Sequence, residues 1–142
     1  VATGDPMNLV VDTNILFSAL YDPASDAGKL ILFALERRVN LFAPESVKLE
    51  LEHNLLKKLA YAEAEARETI AALPVKWVES GAYAEAMDVA KSQLTHEADV
   101  PVLACALVLG YDTVSGDKHL LSIKPKIARV WRLEQLIREI QR

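Results

Sequence analysis

Four acidic residues stand in this chain where a fold could gather them. Asp12 follows the apolar run Leu9-Val10-Val11, Glu50 lies six residues beyond Pro44, Asp99 precedes Val100-Pro101-Val102-Leu103, and Asp117 follows Thr113-Val114-Ser115-Gly116. Singly, each has an ordinary explanation: an Asp after a strand is a common turn or cap residue, Asp99 would cap the helix it precedes, and Glu50 would stand exposed on a helix. Together they admit a chemical one. Four carboxylates in one cleft repel each other, and a hard divalent cation with oxygen ligands relieves that repulsion. Mg2+ fits such a set. A second ion about 3.5 to 4 Å away becomes possible, one ion activating an attacking water and the other stabilising a leaving oxygen. Zn2+ is disfavoured because no Cys or His pair has zinc-ligand spacing. The single cysteine, Cys105, lies inside the apolar string Leu103 to Leu107 and reads as core packing.

Whether the four meet depends on the elements that carry them. Met7 to Val11 reads as a short buried strand ending at Asp12, Thr13 to Leu20 as a helix broken by Asp22-Pro23, and Asp26 as the cap of a second helix running to Arg37 or Arg38. Asn40 marks a turn before the strand Leu41-Phe42-Ala43, and Pro44 opens a helix in its first turn. On that helix Val47, Leu51, Leu55 and Leu59 form an apolar stripe. Glu50 stands off the stripe, whereas Glu52 falls among it. Further helices are expected over Tyr61 to Leu73, ended by Pro74, over Ala82 to Leu94, and from Asp99 to a stop at Gly110. Val75 to Val78, Thr113 to Ser115 and Ala128 to Trp131 are strand candidates, with a turn of helix from Asp117 to Leu121 and a last helix carrying Leu133, Leu136, Ile137 and Ile140.

Short apolar strands alternating with amphipathic helices specify a parallel sheet covered on both faces. In such sheets ligands bind beyond the carboxyl ends of the strands. That rule puts Asp12, Glu50 and Asp117 on one edge, with Asp99 free to join them. The length suits one domain over 7–142, and the first six residues, Val1 to Pro6, lack periodicity and are read as an appended or flexible segment. No apolar run reaches the ~20 residues of a membrane span, and no secretory pattern opens the chain, so no membrane role and a cytoplasmic location are expected. The net charge of -4 speaks against a non-specific nucleic-acid binder. Carboxylates converging on a cation present less negative charge than their sum, however, and basic residues cluster at Arg37-Arg38, Lys57-Lys58 and Lys118 to Arg132.

The residues also resemble a known family. Val10-Val11-Asp12-Thr13-Asn14-Ile15-Leu16 resembles the opening motif of PIN domains, and Pro44-Glu45-Ser46-Val47-Lys48-Leu49-Glu50-Leu51 resembles their glutamate helix. Asp99-Val100-Pro101-Val102-Leu103-Ala104 and Ser115-Gly116-Asp117-Lys118-His119 resemble their two C-terminal motifs. The order holds from Met7 onward. The resemblance implies a three-layer α/β/α fold, Mg2+- or Mn2+-dependent cleavage of single-stranded RNA, frequent homodimerisation, and often the toxin's place in a toxin-antitoxin pair with an antitoxin protein as partner. Carried over by position, Asp12, Glu50, Asp99 and Asp117 are the acidic set, while Asn14 and Ser115 orient a carboxylate or water. Relatives often carry more acidic residues just before the third motif; here the segment is His96-Glu97-Ala98-Asp99, where Glu97 is available to substitute in part.

Two other readings compete. A phosphohydrolase with an aspartate nucleophile wants a second Asp two residues on as general acid, and that position is Asn14. An inactive PIN-like module that binds RNA or protein would be marked by loss of an acidic position, and all four are kept. His96 and His119 are candidates for proton transfer, against a default of solvated histidine. Trp77, Tyr83 and Trp131 are candidates for base stacking, against a default of packing.

Overall fold

In a computed structural model describing residues 5–142, the expected strands assemble into one five-stranded sheet. The strands are β1 (Met7–Val11), β2 (Val39–Pro44), β3 (Val75–Val78), β4 (Asp112–Val114) and β5 (Val130–Trp131). All neighbours pair in parallel, in the order β3-β2-β1-β4-β5. Leu9, Val10 and Val11 are fully buried because β1 is central, with β2 on one side and β4 on the other. That is why they form a continuous apolar run.

The helices are α1 (Thr13–Tyr21), α2 (Asp26–Leu35), α3 (Glu45–Lys58), α4 (Glu63–Ala72), α5 (Ser80–Tyr83), α6 (Met87–Gln93), α7 (Val100–Leu109), α8 (Lys118–Leu121) and α9 (Leu133–Gln141). Right-handed crossovers from β1 to β2 to β3 put α1 to α4 on one face, and the return from β3 to β4 puts α5 to α7 on the other. Packing agrees: α1 meets α2 and α3, α2 meets α9, and α7 lies against β1, β2 and β4 with α5 and α6 outside it. The result is the expected three-layer α/β/α architecture. Covered on both sides, α7 is apolar nearly all round, and Cys105 within it is fully buried. Burial pushes that thiol up to about 11, consistent with an inert packing residue.

Several local expectations are corrected. Ser25, not Asp26, caps α2, its hydroxyl accepting the Gly28 N–H at 3.2 Å. That helix ends at Leu35, because Arg37 turns into the left-handed region at φ 62° and Arg38 N–H closes on the Phe33 carbonyl at 2.8 Å. Asn40 is a strand residue: it sits opposite Asn8, and its side-chain amide donates to the Asn8 side-chain oxygen at 3.0 Å. Pro44 ends β2 and precedes α3 instead of lying within its first turn. The single helix expected over Ala82 to Leu94 divides into α5, a 3-10 turn at Ala84–Ala86, and α6. The tighter turn brings Tyr83 and Ala86 over one another, and both bury with Ala90. The third-motif helix begins at Val100, preceded by a 3-10 turn over Glu97–Asp99. Strand β4 starts and ends one residue earlier than expected, and β5 shortens to two residues. The proposed segment Val1 to Pro6 falls largely on residues 1–4, outside the described residues.

Candidate metal centre

The chain leaves β1 at Asp12, whose extended backbone (φ -94°, ψ 174°) makes it the N-cap of α1. One carboxylate oxygen accepts the Ile15 N–H at 3.1 Å, and the other accepts the Ser115 hydroxyl. Ser115 follows β4, which lies beside β1, so adjacent parallel strands deliver both residues to the same edge. The Ser115 oxygen also accepts the Asp117 N–H at 2.9 Å, so it ties the first acidic residue to the fourth. Asp117 caps α8: its Oδ1 accepts the N–H groups of His119 at 2.7 Å and Leu120 at 3.3 Å. These bonds fix the carboxylate through one oxygen.

Asp99 ends the 3-10 turn before α7 and makes no cap hydrogen bond, so the capping explanation does not hold for it. Its Oδ2 instead faces His96 Nδ1 at 3.0 Å. Donor atoms of His96, Asp99 and Asp117 all lie within 4.8 Å of one another. Asp12 and Glu50 stand outside that tight group but line the same cleft of about 400 Å³. All four predicted carboxylates therefore share one cavity. Asn14 also lines it; Ser115 is buried beneath it, bonded to Asp12. Glu50 is exposed on α3, and Glu52, half-buried, is not on the lining. Glu97 does not join: it borders a separate depression with Met87, Lys91 and Leu94, because the 3-10 turn aims it away from Asp99.

Burial dominates the electrostatics. Asp12 is only 5% exposed, and desolvation pushes its carboxyl up to about 6, with Asp99 and Asp117 adding repulsion and the Ser115 and Ile15 hydrogen bonds opposing. Asp99, 6% exposed, is raised for the same first reason and by Asp117, with His96 pulling the other way. His96 is raised by its hydrogen bond to Asp99. Among the described residues, no lysine or arginine pairs with Asp12, Asp99 or Asp117. Buried carboxylates without a countercharge are the environment a divalent cation stabilises. The donor set, oxygens with one imidazole, suits such an ion.

His96 is the contact that composition hid. Its spacing three before Asp99 was visible, but a side chain on an exposed loop reads as solvated until the turn closes. Thr13, His53, Asn54 and Lys58 also line the cleft. Glu50, His53, Asn54 and Lys58 follow the i, i+3, i+4, i+8 spacing of one helical face, a signal present in the sequence. The aromatic candidates are packing residues: Tyr83 is buried, Trp77 lies under Lys48, and Trp131 lies under Arg129 while donating to Asp112 at 3.0 Å. A larger groove of about 670 Å³ runs between β5 and α9, but Glu139 is its one acidic residue, so the chemistry lies in the smaller cleft.

A family model described as PIN domain matches residues 10–139. Comparison with curated proteins finds no match. Among solved structures, the DNA-bound VapBC from Salmonella typhimurium superposes with a TM-score of 0.70 at 12% identity, covering 89% of this chain and 98% of that one. A toxin-antitoxin complex from Klebsiella pneumoniae gives 0.66 at 16%, covering 88% and 97%. PAE2754 from Pyrobaculum aerophilum gives 0.63 at 19%, covering 95% and 90%. At these identities the likeness concerns the fold.

Proposed function

Since the chain belongs to the PIN-domain family, we propose that residues 7–142 act as one domain and cleave single-stranded RNA as a metal-dependent endoribonuclease. The observation that carries this reading is the convergence of Asp12, Glu50, Asp99 and Asp117 on one cleft, none of them paired with a lysine or arginine among the described residues. Asp99 and Asp117 would hold the ion, with Asp12 completing the acidic floor. A bound Mg2+ or Mn2+ supplies charge neutralisation at the scissile phosphate and activation of water.

The chain's own residues do the rest. Ser115 and the Ile15 N–H hold Asp12 in one orientation, and the first turn of α8 holds Asp117. Such preorganisation spares reorganisation when charge develops on the phosphate. Glu50, on the α3 wall, is the carboxylate free to take a proton from the attacking water. Water adds to phosphorus as Glu50 takes its proton, the bond to the 3' oxygen breaks, that oxygen takes a proton from solvent, and the products are a 3'-hydroxyl and a 5'-phosphate. Lys58 and Asn54, on the same face of α3, are placed to bind flanking phosphates, and Asn14 orients water or carboxylate at the start of α1.

The VapBC and toxin-antitoxin neighbours support a further part of the proposal, a toxin inhibited by an antitoxin protein; a cytoplasmic location and a homodimer are proposed from the family resemblance alone. The test is cleavage of labelled single-stranded RNA by purified protein with Mg2+, Mn2+ or EDTA. Cleavage is expected only with a divalent ion, and Asp12→Asn or Asp117→Asn should lower the rate by at least ~10². Metal-independent cleavage that survives both substitutions would overturn the mechanism.

A further inference from the structure

On the reading of the cleft as a metal-dependent nuclease site, we infer that His96 is a direct ligand of the ion and biases the site away from Mg2+ toward first-row transition ions such as Mn2+. His96, Asp99 and Asp117 form the one group of potential ligands this close among the described residues, and neither Asp12 nor Glu50 belongs to it. Adjacent ligands of an octahedral ion, bound at about 2.1 Å, stand about 3.0 Å apart. His96 Nδ1 and Asp99 Oδ2 are 3.0 Å apart. Their spacing therefore suits a shared ion as well as a hydrogen bond.

The ring is also supported. It stacks on His119 with centroids 5.6 Å apart and planes 27° apart, and the His119 N–H holds Asp117 at 2.7 Å. One short helix thus places a carboxylate ligand and the surface against which the imidazole rests. The His96 side chain is 53% exposed, so it can turn toward an ion without opening a cavity. Mg2+ prefers one or two carboxylates with waters and gains little from nitrogen, whereas first-row transition ions accept imidazole, Mn2+ the least strongly among them.

The test uses the whole chain and Mn2+ as the probe. Pulsed electron paramagnetic resonance should show nitrogen coupling to Mn2+ in the wild type, in His53→Gln and in His119→Gln, and none in His96→Gln or His96→Asn, with circular dichroism confirming that the variants are folded. By calorimetry, His96→Gln should weaken Mn2+ at least ~10-fold and Mg2+ less than about threefold. Asp99→Asn separates the two readings. If Mn2+ binds, depends on Asp99 and shows no nitrogen coupling, or if the coupling vanishes in His53→Gln instead, His96 ligation is overturned and the nuclease reading stands. If the wild type binds Mg2+ but no Mn2+, the His96 proposal alone falls; if it binds neither ion, both fall.

Discussion

At the scale of single residues, the cleft is a compromise between function and stability. Asp12 and Asp99 are raised chiefly by burial and in lesser part by their neighbouring carboxylates, so a fold emptied of metal carries a desolvation cost and some repulsion that protons relieve. A folded-state value of about 6 for Asp12, against 3.8 when unfolded, means that its contribution is fully present below pH 4 and lost as pH rises through 6. Asp99 acts in the same sense, and so does His96, whose contribution is present below its ordinary 6.5 and lost above its raised value. In EDTA, the melting temperature should therefore rise as pH is lowered from 7 to 5. Added Mn2+ needs deprotonated ligands, so its stabilisation should grow in the opposite direction, toward pH 7. Asp99→Asn should raise the melting temperature in EDTA, by about 0.5 to 2 kcal/mol of stability, and shrink the Mn2+ increment. A melting temperature lowered equally in both buffers would mark Asp99 as scaffold.

At the scale of elements, tertiary contacts decide where local preference and packing disagree. Gly28 lies inside α2, where alanine is intrinsically favoured by about 1 kcal/mol. A Cβ there would stand 2.0 Å from the Pro23 carbonyl oxygen, and backbone cannot swing aside as a side chain can. The overpacking, typically about 1 to 3 kcal/mol, should win. Gly28→Ala is expected to lower the midpoint of urea unfolding; an unchanged or higher midpoint would show that the Asp22-Pro23 turn yields freely. The same contest explains what could be read from sequence. That Asp12 and Asp117 reach one edge was legible because each follows a strand, and parallel strands have one carboxyl edge. Glu50 was legible from its place off the Val47-Leu51-Leu55 stripe. The pairing of His96 with Asp99 was not, since it depends on a 3-10 turn whose tightness no periodicity reports. Asn40 was misread as a turn residue because its partner, Asn8, lies on another strand. The break between α5 and α6 was invisible for the same kind of reason: Tyr83, Ala86 and Ala90 satisfy the core only together.

At the scale of the whole molecule, the proposed function asks a chain of net charge -4 to handle a polyanion. The cleft bears one lysine and no arginine on its lining, against four carboxylates. RNA binding should thus depend on the ion, while a protein bearing a basic segment should enter the empty cleft readily. Co-expression with the product of the adjacent open reading frame should give a co-purifying complex, suppressed cleavage and restored growth. Absence of all three would remove the toxin role and leave the nuclease role intact.

The bond between Ser115 and Asp12 joins residues 103 positions apart. During synthesis, the ribosome therefore produces the first acidic residue long before the groups that orient and complement it. β1 can pair with β2 early, but β4 must emerge before Asp12 gains its hydroxyl partner and Asp117 is held in place. At about 5 to 20 residues per second, that interval lasts several seconds for each copy made. Throughout it the cleft cannot be assembled, so on the proposed function the nascent chain cannot yet cut the messenger from which it is being read. On that proposal, strand order alone withholds the activity until β4 has been made.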